Sequence, residues 1–252
     1  LEVEETTGSA QDKTGAKKVG TREMGDAVVG WLIAYSTAVI VGGLITAAAG
    51  YGGSDVKQSD LPIYIIALTT PLLWVGFIGM PIWAARTKGN GWIRDFRVRF
   101  QVIDVPVGIV AGLVTQFVMV PVVAWPVLRI FHKTASDLGT AAHDLADKAG
   151  RPWEIVLLFL TVAVGAPVAE ELFFRGLVMG SLTKTYGTVI GVIGSAVLFG
   201  ATHFEPLLFV PLAFTGAVFA LLVVRFERLG PAIVAHMTFN AATLVSLVGG
   251  RS

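Results

Sequence analysis

The chain contains no cysteine, which excludes disulfide frameworks, thiol nucleophiles and every zinc site built on thiolates. Charge is scarce: 15% of residues are charged, against about 25% in an ordinary soluble domain. A basic excess is also missing, because 19 Lys and Arg face 18 Asp and Glu for a formal net charge of +1. Nothing therefore tracks a phosphate backbone, and no nucleic acid is expected as a partner. The sequence shows no internal repeat and no low-complexity tract. What is abundant is apolar: 54% of the 252 residues are hydrophobic. The sequence predicts an all-α polytopic membrane protein whose first partner is the lipid bilayer. Any metal would have to be held by His, Asp, Glu or Asn.

Residues 1–26 hold many charges, among them Glu2, Glu4, Lys17, Arg22 and Asp26, with few large apolar side chains. They read as a disordered, solvated tail. The apolar run that begins near Ala27 is long enough to span, so it reads as a retained helix and not as a secretory signal. Hydropathy gives seven spans, within a range of six to eight, at 27–49, 61–85, 105–130, 153–180, 187–204, 206–226 and 230–249. Pro206 is expected at the first helical position of the sixth. The chain thus divides into a tail at 1–26, N-terminal transmembrane helices at 27–150 and a polar-bearing helical core at 151–252.

Orientation follows from Lys and Arg, which are enriched in cytoplasmic loops. With the N-terminus inside, the cytoplasmic segments collect twelve such residues and the outer segments six. This favours a multi-pass plasma-membrane protein with a cytoplasmic N-terminus. Trp92, Ile93, Phe96, Val98 and Phe100 interleave with Arg94, Arg97 and Arg99, as an interfacial anchor does. Gly108 with Gly112, and Gly187 with Gly191 and Ser195, are small residues four apart, read as close helix packing.

Ionisable groups inside spans cost about 2.5 to 3.5 kcal/mol each on insertion scales, so they point to function. Spans before residue 150 have almost none. The later ones carry Glu170, Glu171 and Arg175 in Ala-Glu-Glu-Leu-Phe-Phe-Arg-Gly, His203 four residues after Phe199, and His236 four residues before Asn240. On an α-helix Glu171 and Arg175 share a face and can pair, while Glu170 points about 100° away and is left for other work. A turn at Gly187 would level Glu170 with His203 in an antiparallel hairpin. His236 and Asn240 stack on one face and can donate to developing negative charge, or they serve as interhelical hydrogen-bonding glue. His236 lies only six residues past Gly230, so it meets Glu170 in depth only if that hairpin projects beyond the inner face of the bilayer.

The ordered patterns E-E-x-x-x-R, F-x-x-x-H and H-x-x-x-N resemble the CAAX prenyl protease and bacteriocin-processing family, also called the CPBP or Abi family, over roughly residues 153–248. That family includes the type II CAAX prenyl endopeptidases, so the resemblance implies an intramembrane endopeptidase acting on a membrane-embedded or lipid-tethered peptide. It implies that Glu170 is the general base, that His203 orients the water or moves its proton, and that His236 and Asn240 stabilise the oxyanion. Glu171, Arg175 and Phe199 would support the site. A metal-free site is preferred; the alternative is zinc on Glu170, His203 and His236, without the His-x-x-x-His spacing of a zincin helix. A non-catalytic scaffold, assembly or immunity protein working with other membrane subunits is the alternative function. A transporter is disfavoured because the N-terminal half holds no second copy of the polar set.

Overall fold

A computed structural model describes residues 24–53, 56 and 60–249. Eight helices account for most of it: α1 (Met24–Tyr51), α2 (Ile63–Thr87), α3 (Asp104–Ile130), α4 (Thr140–Lys148), α5 (Pro152–Tyr186), α6 (Thr188–Ala201), α7 (Phe209–Phe226) and α8 (Gly230–Gly249). No strand occurs among the described residues. Six of these helices are long and apolar enough to cross a membrane, and the protein is a polytopic helical membrane bundle. Its exterior is apolar, with Val39, Ile40, Val122, Ile130 and Val189 all exposed, as a lipid-facing surface requires.

Three expected boundaries are corrected. The proposed tail lies outside the described residues as far as position 23, but α1 already begins at Met24. Asp26 is buried and its carboxylate pairs with Lys88 Nζ at 2.7 Å. A charge taken for a solvated one instead ties α1 to the end of α2. The expected span 187–204 contracts to the 14 residues of α6; at about 1.5 Å per residue it is about 21 Å long, short of the roughly 30 Å hydrocarbon core. Pro206 is not a first helical residue, because α7 starts at Phe209. The connection between α6 and α7 turns instead at Phe204, in the left-handed region with φ 54°.

Gly187 is also reassigned. It ends α5 and opens α6 at φ 87°, a conformation a side chain would strain, so it makes the hairpin turn and is not a packing residue. Gly108 and Gly112 do pack closely: a Cβ on Gly108 would stand 2.5 Å from Val234 Cβ, and one on Gly112 2.5 Å from the Ala235 carbonyl. These two glycines let α3 approach α8.

In the expected interfacial strip Trp92, Ile93 and Phe100 are exposed, whereas Phe96 is buried in the core. The Arg97 carbonyl accepts a hydrogen bond from Leu229 N–H. Asp104, fully buried, takes a forked ion pair from Arg228, with Nη2 2.6 Å from Oδ1 and Nε 3.0 Å from each carboxylate oxygen. These contacts fix the start of α8. One apolar core joins Ala27, Ala34 and Phe77 to Phe173, Phe199, Phe219 and Ala235, so the division near residue 150 is a division of chemistry and not of packing.

Candidate active site

The polar residues are held on α5, α6 and α8, and α5 departs from α-helical geometry on both sides of them. Residues Phe159–Gly165 and Glu171–Val178 are π-helical, a widening that recurs at functional sites. The first has a local cause. Ala166 N–H bonds back five residues to the Thr161 carbonyl, so the next carbonyl, Val162, would need the N–H of residue 167. That residue is Pro167 and has none. Asn240 Nδ2 supplies the missing donor at 2.8 Å, as an apolar setting demands. One amide N–H of the expected oxyanion donor is therefore committed to the wall of the site.

In the second stretch Glu171 and Arg175 form the expected pair, Oε1 to Nη1 3.0 Å, with both side chains fully buried. The guanidinium also donates from Nη2 to the Gly216 carbonyl at 3.0 Å. Its carbon lies 4.4 Å from the centre of the Phe199 ring and 5.6 Å from that of Phe219, so aromatic faces replace its lost hydration. The same Glu171 oxygen accepts from His236 Nδ1 at 2.8 Å.

This contact fixes the imidazole. A carboxylate only accepts, so Nδ1 carries the proton and Nε2 is left as the free nitrogen. His236 Nε2 stands 3.8 Å from Glu170 Oε2. The two adjacent glutamates thus address opposite nitrogens of one ring. A strict 100° step does not describe this arrangement; the widened turn beginning at Glu171 does. Glu171 is sealed and neutralised by Arg175, while the Glu170 side chain retains 20% exposure and has no arginine partner.

His203 lies at the end of α6. Its Nδ1 is 2.7 Å from the Phe199 carbonyl, which again leaves Nε2 as the free nitrogen. Phe199 organises both imidazoles, edge-on to His203 at 4.8 Å and to His236 at 5.6 Å, and the Phe219 ring packs 4.9 Å from His236. No hydrogen bond or ion pair links Glu170 to His203 among the described residues; the histidine that Glu170 meets directly is His236. Glu170 and His236 therefore lie at one depth. Glu170 is sixteen residues from the end of α5 and His236 six from the start of α8, so the α5–α6 turn reaches about 15 Å beyond the α7–α8 turn.

Among the described residues no three His, Asp or Glu side chains are placed to hold a metal ion.

Tyr35 escaped the sequence reading. Its hydroxyl donates to the Thr202 carbonyl at 2.6 Å, beside His203, and the Glu170 carboxylate is near enough for its charge to act on the phenol. The available signal was a tyrosine well inside an apolar span, where its hydroxyl must find a partner, and not in an interfacial belt.

The fold and the site together define a polytopic membrane protein with a buried Glu–Arg–His cluster and one open glutamate. Residues 152–242 match the family model described as Type II CAAX prenyl endopeptidase Rce1-like. The matched segment is a little over a third of the chain and contains all seven residues of the E-E-x-x-x-R, F-x-x-x-H and H-x-x-x-N patterns. The chain matches no curated protein and no solved structure.

Proposed function

We propose that the protein is an intramembrane endopeptidase that hydrolyses peptide bonds of a membrane-embedded or lipid-tethered substrate with water activated by Glu170. The observation that carries this reading is the division of labour between adjacent glutamates. Glu171 is buried, paired with Arg175 and committed to His236, while Glu170 is partly open and makes its ion-pair contact with His236 alone among the described residues. The family match supports the reaction class.

In the proposed cycle Glu170 takes a proton from water as its oxygen attacks the scissile carbonyl. His236, aligned by Glu171 as the aspartate of a serine-protease triad aligns its histidine, faces the site with Nε2. The second N–H of Asn240 donates to the tetrahedral oxyanion, and His236 Nε2 joins it after accepting the proton that Glu170 took from the water. His203, with Nδ1 held by Phe199, offers Nε2 to orient the water; as the intermediate collapses and the C–N bond breaks, that proton passes from His236 to the leaving amine. Phe199 and Arg175 keep the two imidazoles and Glu171 in register. No step is assigned to a metal.

The enzyme is placed in the plasma membrane with its N-terminus in the cytoplasm, on the twofold excess of basic residues in the inward segments. The test is reconstitution. The purified full chain in liposomes should cut a reporter peptide anchored by an acyl chain, with the cleaved products identified by mass spectrometry. Intact reporter after prolonged incubation with a folded protein would favour the scaffold function.

A further inference from the structure

His203 sits on a turn that its own helix does not secure alone. The last carbonyls of a helix lack intrahelical donors, and inside a bundle each needs one. Around the end of α6, Leu198 O accepts from Thr202 N–H, Phe199 O from Thr202 Oγ1 and His203 Nδ1, Gly200 O from His203 N–H, and Ala201 O from Phe204 N–H. All of these donors are local. Thr202 O receives its donor from 167 positions away, the Tyr35 hydroxyl on α1.

The Tyr35 ring is itself braced. It lies 4.5 Å from Trp31, edge-on to Phe77 at 6.3 Å, and edge-on at 5.6 Å to Phe204. Phe204 is the residue in the left-handed conformation, which an aromatic residue keeps only where its surroundings impose it. Tyr35 therefore grips the His203 turn from both sides, by hydrogen bond at Thr202 and by ring contact at Phe204.

We propose that Tyr35 is a positioning residue for His203: its hydroxyl locks the Thr202 carbonyl and its ring locks Phe204, so that the imidazole between them is held with Nδ1 on the Phe199 carbonyl and Nε2 free. This inference rests on the endopeptidase reading. It also assigns α1, outside the segment that matches the family model, a part in completing the site.

The test uses the full chain in liposomes, the acyl-anchored reporter, and protein labelled with nitrogen-15 at histidine. Tyr35→Phe keeps the ring and removes the donor; kcat should fall roughly three- to tenfold, the weight of one hydrogen bond, with KM within about twofold of wild type. The His203 ring-nitrogen resonances should move. Tyr35→p-aminophenylalanine, which restores an N–H donor, should recover both. An unchanged kcat overturns the proposal, as does a higher KM at unchanged kcat, which would place Tyr35 in substrate binding. A lower kcat with unmoved His203 resonances overturns it as well, because Tyr35 would then act elsewhere. If the wild-type protein cleaves nothing, the endopeptidase reading fails by itself, and the His203 resonances in Tyr35→Phe alone decide whether the clamp exists.

Discussion

Replacing Glu171 by Gln removes a charge that two groups use, Arg175 and His236. The carboxylate is completely buried, 3.0 Å from Arg175 Nη1 and 2.8 Å from His236 Nδ1. At 3.0 Å and an effective dielectric near 20, the pair attraction is about 5 kcal/mol. Breaking a buried pair by removing one partner typically costs about 3 to 5 kcal/mol, because the other charge stays behind. Arg175 keeps the Gly216 carbonyl and the faces of Phe199 and Phe219, so the lower half of that range is expected. In a chain of this size about 3 kcal/mol corresponds to a fall in Tm of roughly 6 to 12 °C. A thermal melt in detergent, followed by tryptophan fluorescence, measures it. Glu170→Gln is the control: its carboxylate is partly open and its one ion-pair contact is 3.8 Å long, so the expected shift is under about 1 kcal/mol. The double variant Glu171→Leu with Arg175→Met, which removes both charges, should recover most of the loss. A Glu171→Gln protein that melts within 2 °C of wild type, or a Glu170→Gln protein that melts earlier than Glu171→Gln, refutes this assignment of the two carboxylates.

Asn240→Leu should lower stability by about 1 to 3 kcal/mol, since it leaves the Val162 carbonyl buried without a donor; a melt equal to wild type would show that the amide does not support the α5 wall. Asp104→Asn should lower the Tm, because the amide cannot take the forked ion pair from Arg228, and a Tm that does not move contradicts the proposed lock at the start of α8. Cysteine introduced at Arg97 in this naturally cysteine-free chain should resist a membrane-impermeant thiol reagent added from outside, and rapid labelling there would reverse the topology.

Much of the site was legible because four-residue spacings survive folding. The Glu171–Arg175 pair, the hairpin turn at Gly187 and the grouping of chemistry on α5, α6 and α8 follow from local sequence. The rest depends on what no single helix records. The first π-helical stretch forms where Pro167 withholds a donor, and the second, from Glu171, lets both glutamates flank the His236 ring. A 3.6-residue period assumes such turns away, so it does not show the two glutamates on opposite nitrogens of one imidazole. Asp26 looked like part of a solvated tail because its partner, Lys88, is 62 positions distant. Tyr35 was overlooked because hydropathy identifies spans but not which span ends beside which turn.

The central claim is that Glu170 is the base, and the direct measurement is single-turnover cleavage of the anchored reporter by Glu170→Gln in liposomes. The amide keeps the shape of the side chain and cannot take the proton. The rate should fall by about two to four orders of magnitude, the usual contribution of general acid–base catalysis, with the Tm unchanged. Cleavage at the wild-type rate by a folded Glu170→Gln protein would contradict the account.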